Sequence, residues 1–142
     1  MSDNKRNLIY LAALLHDIGK FYQRADTGNV LTSKYLKKHC QDESTFCPQY
    51  NGHYSHKHVL WTAQFIEDYT SVFSNLVDAG LNNLIDKDNL LNLAAGHHLN
   101  ADRLSDLGNM IKEADCLSSG MDRSNVESLK DAQDEETSNW DL

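Results

Sequence analysis

An apolar run from Leu8 to Leu15, with Tyr10 inside it, stops abruptly at His16-Asp17-Ile18-Gly19-Lys20. Read as one helix over residues 5–21, this run is apolar on every side, and such a helix belongs in a core. His16 and Asp17 then sit at the end of a buried rod. A buried carboxylate is costly unless it is paired or bound to a metal. Lys20 follows His16 by four residues and Asp17 by three, so it faces the same space as both. An imidazole, a carboxylate and an ammonium together point to a metal and a phosphate. The plainer alternative is a hydrogen-bonded core histidine with a surface lysine at the helix end.

The remaining chain narrows the choice. Its 142 residues suit one domain with a real core. It has a single proline and apolar residues mostly at helical spacing, which predicts an all-α class. The net charge is −8, but from Met121 onward seven acidic residues face two basic ones, so the body is only mildly acidic. That excludes a domain gripping nucleic acid by its own charge, though not one whose metal ions supply the positive charge. Three cysteines without a C-x-x-C pair predict a reduced, cytoplasmic chain. No signal peptide is evident, and no stretch approaches the ~20 apolar residues that span a bilayer.

Residues 22–52 read as a long polar loop with a short helix near Ser33 to Cys40, and His39 as a surface residue. The next helix is expected over Ser55 to Asn75, with His56 at the inner end of its apolar stripe, His58 on a flank and His53 in the preceding loop. A zinc site from His39, Cys40, Cys47 and His53 fits no common spacing. A third helix, about Asn89 to Leu99 and capped by Asp86 or Asp88, carries Gly96-His97-His98. Adjacent helical residues point about 100° apart, so the two rings are not expected to bind one ion side by side. The last helix, about Asp102 to Ser119, turns Leu104, Leu107, Ile111 and Ala114 inward and places Asp115 at the stripe's edge. The folded domain is expected over residues 1–123. Residues 124–142 read as an acidic tail or linker.

His16, Asp17, His56, His97, His98 and Asp115 thus come from four helices. Imidazoles with carboxylates suit zinc, manganese, iron, cobalt or nickel rather than calcium. Six ligands can hold two ions ~3.5–4 Å apart, with Asp17 as the bridge. Leu14-Leu15-His16-Asp17-Ile18-Gly19-Lys20, Ser55-His56-Lys57-His58 with Thr62 and Phe65, Gly96-His97-His98, and Ala114-Asp115 through Asp122-Arg123 resemble the HD superfamily of metal-dependent phosphohydrolases. More narrowly, they resemble the N-terminal HD nuclease domain of the large subunit of type III CRISPR effector complexes, in the Csm branch. No histidine precedes His16, which agrees with the permuted HD order of that group and leaves His53, His56 or His58 open as the isolated histidine.

The resemblance implies a permuted HD helical bundle with its metal site at the centre, holding one or two ions (manganese, nickel or cobalt). It implies cleavage of single-stranded DNA, with the guide-RNA complex subunits and target RNA as partners of the full-length protein. His16, Asp17 and Lys20 would be catalytic, and Lys20 and His98 would contact substrate. The palm-domain Gly-Gly-Asp-Asp motif is absent, so no cyclic oligoadenylate synthesis is expected. A nucleotide phosphohydrolase and a non-catalytic assembly module are the competing readings.

Overall fold

The structure is a computed structural model that describes residues 1–73, 75–77 and 88–120. The chain divides into two compact units, residues 1–111 and 112–142. The fold is all-α, with one two-stranded hairpin among the described residues.

Helix α1 spans Asp3–Leu15 and α2 spans Ile18–Ala25. The single helix expected over 5–21 is therefore broken at His16-Asp17. Nor is α1 buried all round: Leu8, Ala12 and Leu15 face the core at spacings of four and three, while Leu14 is 78% exposed. Ser2 caps α1 by accepting from the Lys5 N–H.

The segment after α2 is more ordered than a plain loop. Asp26 gathers it: its carboxylate accepts from the N–H groups of Thr27 at 2.7 Å, Lys34 at 2.9 Å and Tyr35 at 3.3 Å, and from the Ser33 hydroxyl. The Trp61 indole N–H reaches it at 3.0 Å and ties the loop to the core. The expected helix at 33–40 reduces to a 3₁₀ turn, His39–Gln41, followed by helix α3, Glu43–Phe46. Strands β1 (Gln49–Tyr50) and β2 (His53–Tyr54) pair antiparallel in the register Gln49 to Tyr54 and Tyr50 to His53. Asn51 and Gly52, with φ of 50° and 77°, make the turn that a two-residue hairpin needs.

Helix α4, His58–Asp68, is the central element. Val59, Leu60, Trp61, Ala63 and Ile66 are fully buried, and α2, α6 and α3 all pack on it. The helix expected over 55–75 is thus shorter, and α5 (Thr70–Phe73) follows it. Helix α6, Leu90–Ala95, is capped by Asn89, whose side chain accepts from the Asn92 N–H at 2.8 Å. Asp88 is not the cap, and Asp86 lies outside the described residues. After a 3₁₀ turn at Ala101–Arg103, residues 106–120 form α7. Ile111 is buried, whereas Ala114, expected on the inner face, is exposed. Met121, Asp122, Arg123 and the tail 124–142 lie outside the described residues.

Candidate metal centre

Three turns of backbone meet at the core face of α4. The α1–α2 break presents His16 and Asp17, the first turn of α4 presents His58, and the turn after α6 presents His97 and His98. Asp17, His58, His97 and His98 each aim one ligand atom into a single space, with all four atoms within 4.8 Å of one another.

The Asp17 carboxylate divides its oxygens. Oδ1 lies 3.3 Å from His58 Nε2 and 3.7 Å from His97 Nε2. Oδ2 lies 2.8 Å from Lys20 Nζ and 3.5 Å from His16 Nε2. The ring nitrogens of His58 and His97 beside Oδ1 hold the Asp17 carboxyl well below the usual carboxylate range. Lys20 and His16 assist, against the opposing pull of burial. His97 Nδ1–H donates to the Ala94 carbonyl at 2.7 Å, which turns its Nε2 toward Asp17. His16 is oriented in the same way by the Ala13 carbonyl, at 2.5 Å. Burial, together with His97, His56 and His58, pushes the His98 pKa down to about 2, so this ring stays neutral and offers a lone pair at any physiological pH.

Asp17 Oδ1 and the Nε2 atoms of His58, His97 and His98 are all buried without a hydrogen-bond partner. Unpaired buried polar atoms are rare in folded proteins and ask for an explanation. Four donors at the corners of a tetrahedron, each ~2.1 Å from an ion, stand ~3.4 Å apart. The 3.3 and 3.7 Å separations from Asp17 Oδ1 match that spacing. Three imidazole nitrogens and one carboxylate oxygen suit a divalent transition ion. The residues present fit a metal.

The HD domain family profile matches residues 2–120. The chain belongs to the HD domain family. HD domains are typically metal-dependent phosphohydrolases. Nothing matches among curated proteins or among solved structures.

The HD domain's structure places the expected site residues as follows. His16, Asp17, His97 and His98 meet at the centre, and Lys20 pairs with Asp17. His97 and His98 both reach the same space, contrary to the 100° argument, because α6 ends at Ala95 and the pair lies in the following turn. Their ring centroids are 4.0 Å apart. Of His53, His56 and His58, left open by the sequence although His56 stands in the six-residue set, the four-residue group holds His58. Helix α4 begins only at His58, and His56 lies before it with a left-handed φ of 53°. Its ring rests 4.1 Å from that of His98, and its Nδ1 meets the Ser55 hydroxyl at 2.9 Å. His53 is exposed on β2. Asp115 lies on α7 in the second compact unit.

His39, expected at the surface, is 2% exposed. Its Nδ1 meets Asp42 at 2.7 Å and its Nε2 meets Glu67. Two carboxylates from either side of it explain its burial and take both nitrogens away from any zinc cluster. Burial pushes the Cys47 thiol up to about 12, which removes the thiolate such a cluster needs.

Proposed function

We propose that this HD domain hydrolyses phosphodiester bonds in single-stranded DNA with a divalent transition ion, as the nuclease domain of a type III CRISPR large subunit. The observation that carries the metal-dependent part is the convergence of four buried, unpartnered ligand atoms. The single-strand part rests on the sequence resemblance, and the surface beside the centre suits it.

Asp17 Oδ1, His58, His97 and His98 would hold the ion, which when bound would supply a water of lowered pKa and offset charge on the phosphoryl group. Lys20, already fixed on Asp17 Oδ2 and open to solvent on its other side, offers an ammonium to a phosphate oxygen. His16 Nε2 lies 3.5 Å from the same Asp17 oxygen. Phe21 lies four residues after Asp17 on α2 and is 67% exposed, a stacking surface for an unpaired base. Target RNA and the guide-RNA complex subunits would act through the full-length protein, with weak binding of DNA by this mildly acidic domain alone.

A second reading has its own observation. A cavity of about 280 Å³ lies behind the His97-His98 turn, lined by Phe46, Asn92, Leu93, Leu99 and Arg103 and floored by Gly96. That volume lies at the lower edge of small-molecule pockets, which begin at about 300 Å³, and a nucleotide phosphohydrolase needs such a pocket beside its metal.

Both readings meet in one experiment. Labelled single-stranded DNA and a panel of nucleotides are incubated with chelator, then with manganese, nickel, cobalt, zinc or magnesium. The parent is compared with Asp17→Ala, His58→Ala and Asp115→Ala. Metal-dependent DNA cutting lost in Asp17→Ala and His58→Ala is the expected result. Hydrolysis of nucleotides alone moves the domain to the second reading. A fully active Asp17→Ala removes the site assignment itself.

A further inference from the structure

We propose that Thr62 caps helix α2 in place of Asp17 and thereby frees the Asp17 carboxylate for the metal. The inference rests on the metal reading above. Asp17 stands at the N-cap position of α2. An aspartate there ordinarily turns its own carboxylate back onto the N–H of the second or third helical residue. Asp17 makes no such bond. Its Oδ1 faces His58 and His97, and its Oδ2 pairs with the Lys20 ammonium beside His16.

The N–H that Asp17 leaves unclaimed is that of Gly19, the second residue of α2, which has no partner inside the helix. Thr62 supplies the acceptor. Its Oγ1 lies 3.0 Å from the Gly19 nitrogen, and the same hydroxyl donates to the His16 carbonyl at 3.2 Å. One hydroxyl thus closes the end of α1 and the start of α2, on either side of Asp17. Thr62 is fully buried, and it lies on α4 one turn after His58. The helix that delivers one ligand therefore also fixes the corner that delivers the carboxylate.

Gly19 makes the approach possible. A Cβ at this position would stand 2.0 Å from the His58 carbonyl oxygen and 2.4 Å from Thr62 Oγ1. Without the Thr62 hydroxyl, the Gly19 N–H competes for the Asp17 carboxylate, and the four-residue group loses its oxygen donor. Thr62 is therefore a positioning residue for the metal centre.

The test uses the full chain, Co²⁺ as probe, and the variants Thr62→Val and Thr62→Ser. Valine keeps the shape and removes the hydroxyl, while serine keeps the hydroxyl and removes a methyl. Co²⁺ affinity, the visible Co²⁺ spectrum and the Tm of the metal-free protein are measured for each. Thr62→Val is expected to weaken the Co²⁺ Kd by about 10- to 100-fold, the range for lost outer partners of metal ligands, and to alter the spectrum. Thr62→Ser is expected to keep the parent's Kd and spectrum even where its Tm falls. A Thr62→Val protein with the parent's Kd and spectrum overturns the proposal, whatever its Tm. So does a Thr62→Ser protein whose Co²⁺ binding is weakened, a result that stands even if Thr62→Val does not fold. A parent that binds no Co²⁺ overturns the metal reading as well, which separates the two failures.

Discussion

Two aspartates of this chain do opposite things with their carboxylates. Asp17 turns away from its backbone toward histidines, whereas Asp26 collects backbone and side-chain donors and makes a loop rigid. Burial pushes the Asp26 pKa up, but bonds from Ser33, the Lys34 N–H, Trp61 and the Thr27 N–H outweigh it and hold the carboxyl well below the usual range. Its folded pKa is depressed, so its stabilisation is complete above the ordinary value of ~3.9 and fades as pH falls below it toward the folded value. Asp26→Asn is expected to cost about 2 kcal/mol at pH 7, since it replaces a charged acceptor of several bonds. Urea melts from pH 3 to 7 check this, and the gap between parent and variant should narrow below pH 4. A gap that widened there would mean that Asp26 does not titrate as argued. The residue scale also divides what the sequence reveals. His16 and Asp17 were legible because ionisable groups end an apolar run. The burial of His39 was not, because Glu67 comes from a helix 28 positions away.

At the scale of elements, the chain's least legible feature is the α1–α2 break. No glycine or proline stands at 16 or 17, and apolar spacing continues through Ile18. What bends the chain is tertiary: the crossing of α2 over α4 at Gly19 and Thr62. The same cause hid His58, because periodicity extends α4 back through Ser55 while the backbone turns left-handed at His56. Paired histidines were visible, but that both reach one space depended on α6 stopping at Ala95. The crossing gives a sharp contrast between two glycines. Gly19→Ala forces its methyl into the α4 backbone and is expected to cost about 3 kcal/mol or more and to weaken metal binding. Gly28→Ala meets nothing within 4 Å and bears only a left-handed φ of 76°, a cost of about 1 kcal/mol with metal binding unchanged. Chemical denaturation and a Co²⁺ titration of both variants check this. Equal losses in the two would mean that close packing at Gly19 does not govern the centre.

For the whole molecule, the centre links ligand binding to folding. Each buried polar atom left without a partner costs about 1–3 kcal/mol, and four of them lie in one place on the structure. The metal-free domain carries that penalty, and the folded chain alone brings these donors together, since they come from three segments distant in sequence. An ion that binds only the folded state stabilises it by about 2.7 kcal/mol at a hundredfold excess over Kd. The Tm should therefore rise by several degrees on adding Mn²⁺, Ni²⁺ or Co²⁺ and fall on adding chelator, with no substrate present. His58→Ala isolates the cause. It removes one ligand and one unpaired atom together, so its metal-free Tm should fall less than an ordinary core truncation while its metal-induced rise disappears. Scanning calorimetry of parent and variant, with chelator and with each ion, reads both effects. A parent whose Tm ignores every ion would make the four converging atoms a strained polar core rather than a ligand set. A His58→Ala protein that keeps the full metal-induced rise would move the ion to other residues.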